Sequence, residues 1–228
     1  MHRVSVAQRE TRQILRSRRL LVQQRAGTVS LIRSLLRQSG YRLPSGSVET
    51  IPARLARLAL PPALADTLAP LSRHAATLTT EIRTIDARVR ARVAADPVVT
   101  RLQTVPGVGI VVATTFRAFI DTVDRFHGAG QVSAAIGLVP REDSSGERHH
   151  RGNITKAGPR ELRALCIQAA WACWRGAGGA PLRPWVDHLA ARRGRRVAVV
   201  ALARRLSRII YAVWRDDSSL DATRFAAI

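Results

Sequence analysis

Leu102-Gln103-Thr104-Val105-Pro106-Gly107-Val108-Gly109 opens the stretch that decides the fold, which continues to Trp174. An apolar run leads to Gly137-Leu138-Val139-Pro140, and a polar segment from Arg141 to Gly158 follows. The pattern then becomes an amphipathic helix carrying Arg160 and Arg163. Val105–Gly109 has two readings. Its glycines permit a tight turn with backbone close to a ligand, the form of the hairpin in a helix–hairpin–helix. The N–H groups opening the next helix would then face a phosphate, with Gly107 and Gly109 as nucleic-acid contacts that give affinity without sequence information. The other reading is a plain helix–turn–helix corner that uses glycine for packing.

The polar segment spans about twenty residues without periodicity, and loops of that length in compact domains tend to be functional or disordered. It holds Ser144, Ser145, Arg148, His149, His150, Arg151, Thr155 and Lys156. Ser145-Gly146 offers a hydroxyl beside a flexible backbone. A serine that attacks a phosphodiester must lose its proton, and the charge that develops on phosphorus must be neutralised. His149, His150 or a carboxylate from outside the segment suits the first task. Arg148, Arg151, Lys156, Arg160 and Arg163 suit the second, or bind phosphate without chemistry.

Upstream, residues 5–39 lack proline, and Leu15, Val22, Val29 and Leu36 recur every seven positions beside Ile14, Leu21 and Leu35. That spacing predicts a long amphipathic helix stopped near Gly40. Up to Arg42 the chain holds ten arginines and one acid, Glu10, so the helix is expected to lie along nucleic acid. A connection rich in Gly, Pro and Ser follows. Leu64, Leu68, Leu71, Ala75, Leu78, Ile82, Ile85 and Val89 then alternate steps of four and three, a heptad seam that wants a partner helix. The preceding helix is the natural partner, in an antiparallel hairpin or as half of a dimeric coiled coil. Pro70 is expected to kink or restart the seam helix. Two further helices are expected beyond Trp174, from Pro181 to about Arg192 and from about Arg196 to Arg215. The last should bury Val197, Val200, Ala201, Leu206, Ile209, Ile210 and Val213.

The charge balance is 37 Lys+Arg against 16 Asp+Glu, a net +21 over 228 residues. Such a field suits a polyanion, and nucleic acid is the ordinary one. Lys156 is the single lysine, and arginine makes bidentate phosphate contacts that lysine cannot. Cys166 and Cys173 are too far apart on one helix for a disulfide and lack zinc-ligand spacing, so they read as reduced core thiols of a cytoplasmic protein. No apolar run reaches membrane-spanning length, so no membrane partner is expected. The expected fold class is all-α: a helical hairpin or coiled-coil arm over 1–97, then a compact helical domain over 98–228 with a helix–hairpin–helix-like element.

The order Val105-Pro106-Gly107-Val108-Gly109, Phe126, Ala135-Ile136-Gly137-Leu138-Val139-Pro140, Ser144-Ser145-Gly146, Arg151-Gly152, Ile154-Thr155-Lys156-Ala157-Gly158 and Leu162-Arg163 resembles the C-terminal transposase domain of the "one-ten" insertion-sequence family. The basic helix and heptad helix resemble that family's coiled-coil segment, in its "eleven-eleven" branch. The resemblance implies DNA transposition by a serine recombinase guided by a structured RNA, with Ser145 as the catalytic residue that forms a phosphoseryl link to DNA. It also implies partners: DNA, a guide RNA and a second copy of the chain through the coiled coil. In that family a RuvC-like nuclease domain comes first, and its acidic residues hold a divalent metal. Met1 falls inside the helix that follows that domain, so no cofactor or metal site is expected in this chain. The expectation is a transposase segment that is incomplete alone, the alternative being a noncatalytic DNA- or RNA-binding module.

Overall fold

The computed structural model describes residues 3–145 and 148–220. Among them are helices α1 (Val6–Gln38), α2 (Ile51–Ala56), α3 (Pro62–Val93), α4 (Pro97–Leu102), α5 (Ile110–Ile120), α6 (Ala129–Ile136), α7 (Arg160–Arg175), α8 (Arg183–Arg193) and α9 (Arg195–Arg215). One antiparallel pair, β1 (Pro140–Ser145) and β2 (Arg148–Ile154), completes a mostly all-α fold. The chain divides into two units, residues 13–92 and residues 1–12 with 93–228, and the division falls inside both α1 and α3.

In the 13–92 unit, α1 and α3 lie antiparallel. Arg18 Nε donates to Asp86 Oδ1 at 2.5 Å, and Arg25 Nη1 donates to Thr79 Oγ1 at 3.4 Å. Leu36 and Leu68 share one cluster with Val29, Ile32, Ile51 and Leu55. Leu15, Val29 and Leu36 of the expected column are buried, as are Leu68, Ala75, Leu78, Ile82 and Val89 of the seam. The seam therefore meets the helix that precedes it. Gly40, at φ +80°, ends α1, with Tyr41 N donating to Leu36 O at 2.8 Å; a left-handed residue there costs glycine little. α3 continues through Pro70, contrary to a restart. Pro70 is exposed, so water can meet the carbonyl that its missing N–H leaves free.

The other unit is built around α9, which packs against α4, α6, α7 and α8. Its buried face is Ala198, Val199, Leu202, Ala203, Leu206, Ile209, Ile210, Val213 and Trp214. That corrects the sequence reading at the helix start. Val197 is 47% exposed, and Val200 and Ala201 are half-buried. Polar pins fix the packing: the Ser133 and Ser207 hydroxyls meet at 3.0 Å, and Tyr211 Oη donates to Phe126 O at 2.8 Å. Asp96 opens α4 by accepting from Val98 N at 2.9 Å and Val99 N at 3.3 Å, satisfying N–H groups that a helix start leaves over. Cys166 and Cys173 are free, buried thiols, and burial pushes them up to about 12 and about 11.

The segment expected as an irregular loop is a β-hairpin. Ser145 pairs with Arg148, Ser144 with His149, Asp143 with His150, and Glu142 with Arg151. The register shifts between Pro140 and Glu142. The hairpin base is held by two chain segments touching backbone to backbone. Gly137, at φ +77°, ends α6, and a Cβ there would lie 2.2 Å from Ala157 O. Gly158, at φ +73°, faces back, and a Cβ there would lie 1.9 Å from Ala135 O. Thr155 N donates to Val139 O at 2.9 Å and Lys156 N to Gly137 O at 3.2 Å. Arg163 Nη1 then bridges Ile136 O and Ala157 O, each at 2.9 Å.

Two substitutions test this packing. Ile82→Asp puts a charge into the α1–α3 seam and should cost about 3–5 kcal/mol; an unchanged melting temperature would refute the seam. Gly158→Ala should cost more than about 2 kcal/mol, from the left-handed backbone and the clash together. Gly130→Ala, with nothing near its Cβ position, is the control in the same region. Equal denaturation midpoints for the two variants would refute the backbone contact.

Candidate nucleic-acid interface

The two glycines of the 105–109 turn have different environments. Gly107 has φ +83°, and a Cβ there would lie 2.2 Å from Ala169 O and 2.7 Å from Cys173 N, so this residue packs on α7. Val105 and Val108 are buried beside it. Gly109 is exposed, caps the start of α5, and has nothing within 4 Å of its Cβ position. Of the pair, Gly109 is the one whose backbone lies open to a ligand. The first-turn N–H groups of α5 have no carbonyl partner of their own within the helix.

The seven sequence-derived site residues besides Gly107 divide into four situations. Ser145, Arg148 and Arg151 belong to the hairpin; their backbone positions are given by the register, and their side chains lie outside what is described. Lys156 and Arg160 are exposed at the hairpin base and in the first turn of α7, with Lys156 in the left-handed region at φ +56°. Arg163 is half-buried, and its guanidinium is engaged by the carbonyls of Ile136 and Ala157. It holds the hairpin base in this structure. Gly109 stands apart from all of these, at the α4–α5 turn.

The hairpin strands pair with each other and make few contacts with the helices among the described residues. Ser145 is the last residue of β1 and pairs with the first residue of β2, so its backbone sits at the end of the ribbon away from the glycine contact. Arg141 and Glu142 are exposed along the ribbon.

Positive charge is concentrated elsewhere too. Arg192, Arg193, Arg195 and Arg196 are exposed around the α8–α9 junction. Within α9, burial first and the neighbouring Arg208 second lower the Arg205 guanidinium below its usual range. In the 13–92 unit a cavity of about 590 Å³ is lined by Arg33, Arg37, Tyr41 and Arg42, an anion-attracting hollow with an aromatic wall. The sequence reading singled out none of Tyr41, Trp171, Trp174, Arg175 or Arg195. The last four adjoin on α7 and the start of α9. The signal available for them was a pair of tryptophans three apart, followed at once by arginine.

Among the described residues no group of three or more His, Cys, Asp or Glu is placed to hold a metal ion. No described helix is long and apolar enough to cross a membrane.

Residues 99–180 match the family described as transposase IS116/IS110/IS902. That span begins in α4 and takes in the glycine turn, the hairpin and α7. The chain is 32% identical over 216 residues to the transposase for insertion sequence element IS1111A of Coxiella burnetii, covering 92% of this chain and 59% of that protein. It is 29% identical over 204 residues to the transposase for insertion sequence element IS1328 of Yersinia enterocolitica, covering 87% of this chain and 60% of that protein. The chain thus spans about six tenths of the length of these relatives. Residues 99–180 carry the transposase domain of the IS116/IS110/IS902 family, in a chain whose homologues are IS1111- and IS110-type transposases.

Proposed function

We propose that this chain acts in DNA transposition, as the segment of a transposase that binds nucleic acid and presents a serine nucleophile. The observation that carries the reading is the placement of Ser145 at the end of a ribbon whose base is fixed by backbone contact. Catalysis of a displacement at phosphorus depends on holding the nucleophile in line with the leaving oxygen, and a seated ribbon supplies that restraint. Ser145 Oγ attacks the phosphorus, its proton passes to a base, and the bond from phosphorus to one deoxyribose oxygen breaks, that oxygen leaving as a hydroxyl on taking up a proton. His149 and His150 are the nearest histidines in sequence. Arg148, paired with Ser145, and Arg151 on the same strand neutralise the nonbridging oxygens, while Lys156 and Arg160 at the ribbon base bind other phosphates of the strand. Arg163 positions the ribbon.

Further groups for the chemistry come from outside the described residues, in the same or another polypeptide, as the carboxylates of a RuvC-like domain would. A guide RNA and a second copy of the chain are the partners that the family resemblance adds to DNA. The α4–α5 turn contributes affinity through the backbone at Gly109, in the manner of a helix–hairpin–helix. Net charge +21 supplies the long-range attraction.

Two measurements test the reading. Binding to duplex DNA should weaken about 10³-fold or more between 50 and 200 mM salt if several phosphates are contacted; affinity nearly independent of salt would contradict it. In a reaction with element-end DNA, guide RNA and a supplied RuvC-like domain, a covalent protein–DNA adduct should form and be lost in Ser145→Ala. An adduct that persists in Ser145→Ala and is lost in Ser144→Ala would move the nucleophile one residue back. Salt-dependent binding with no adduct under any of these conditions would leave the noncatalytic module as the function.

A further inference from the structure

Trp171 and Trp174 lie three residues apart on α7, with ring centroids 5.3 Å apart and ring planes 15° from parallel. The Arg175 guanidinium carbon is 5.0 Å from the Trp171 ring centroid. Arg195, at the start of α9, is 5.8 Å from the Trp171 centroid and 5.3 Å from that of Trp174. Trp174 Nε1 donates to Asp187 Oδ1 at 2.8 Å, which fixes that ring. Both tryptophans are packed against the core yet half-exposed. Arg175 and Arg195 are exposed, and the ion pairs among the described residues include neither of them. A chain with only 4% aromatic residues has thus placed two large π-faces and two unneutralised guanidinium groups on one patch.

That combination recognises a planar group attached to an anion. A base inside a duplex has both faces covered by its neighbours, so only an unpaired base offers a face to tryptophan. A purely anionic partner would use the arginines and leave the rings idle. We propose that Trp171, Trp174, Arg175 and Arg195 form a stacking platform for an unpaired nucleotide of single-stranded nucleic acid. The proposal rests on the nucleic-acid reading above and assigns it a second site. Arg160 and Trp174 stand at opposite ends of α7, about 20 Å apart at the helical rise of 1.5 Å per residue. A strand engaged at the hairpin base can therefore follow α7 to the platform.

The test uses fluorescence anisotropy with labelled oligo-dT, oligo-U and a blunt duplex of the same length. Trp171→Ala should raise the Kd for single strands about fivefold or more, with duplex affinity changing by less than about twofold. Trp171→Phe, which keeps a π-face, should restore most of the loss. If Trp171→Ala does not fold, Arg175→Gln combined with Arg195→Gln decides, with the same preferential loss on single strands expected. Comparing oligo-dT with oligo-U tells whether the strand is DNA or RNA. Equal losses on single strands and duplex would make the patch a general phosphate contact and overturn the platform, as would no loss on either. Competition by polyglutamate as effective as by oligo-U would also overturn it. Failure of the unaltered chain to bind any nucleic acid would instead remove the nucleic-acid reading itself.

Discussion

Two backbone segments that approach too closely for any side chain hold this transposase domain together where it matters. Gly137 ends α6 and Gly158 precedes α7, and each would drive a Cβ into a carbonyl of the other segment. That contact joins the ends of a 20-residue excursion, and Arg163 closes it by bonding a carbonyl on each side. Without it, the ribbon bearing Ser145 would leave the helices from two independent ends. With it, the ribbon starts from one fixed point and its strands set the register outward. The need for glycine is steric and local. It accounts for both glycines without assigning either a ligand.

Behind that contact stands α9, an interior helix packed by four others. Its small residues, Ala198 and Ala203, let neighbouring helices approach, while Leu206, Ile209 and Ile210 fill the space between them. Its buried hydroxyls are paired, Ser207 with Ser133 and Tyr211 with the Phe126 carbonyl; a buried hydroxyl left alone would cost more than it contributes. α6 and α7 are both seated on this helix, so the two segments that meet at the glycines are held by the same core. Bases outnumber acids 37 to 16, and arginines are exposed in groups, as at 192–196. A field of that kind draws polyanions in and leaves orientation to the few fixed elements.

The helical part was legible because its signal is periodic. A column at sevens in α1 and a four-three seam in α3 each need a buried face, and each found it in the other. The hairpin was not legible because strand patterning comes from burying one face, and this ribbon has little core to lie on. Its strands read as Arg, Glu, Asp, Ser and His, the composition of a loop. Pro70 misled in the opposite direction: a proline predicts a break, but on an exposed face water can reach the carbonyl left over, and the helix continues. Gly107 carried two readings in the sequence, and only the proximity of Ala169 and Cys173 gives it a packing role. Arg163 looked like its neighbours, and nothing short of the carbonyl positions separates a positioning arginine from a phosphate-binding one. Trp171 and Trp174 sit on a helix whose apolar pattern absorbed them as core.

The central claim, that the ribbon grows from a fixed base, is tested most directly by native-state amide hydrogen exchange. The N–H groups of Thr155 and Lys156 donate to Val139 and Gly137 in the contact itself. If the glycine contact is as firmly held as the helices it joins, these amides exchange as slowly as those of Leu206 and Ile210 in α9, opening only with the whole unit. Exchange of Thr155 and Lys156 at the rate of an exposed loop, while α9 stays protected, would contradict the account.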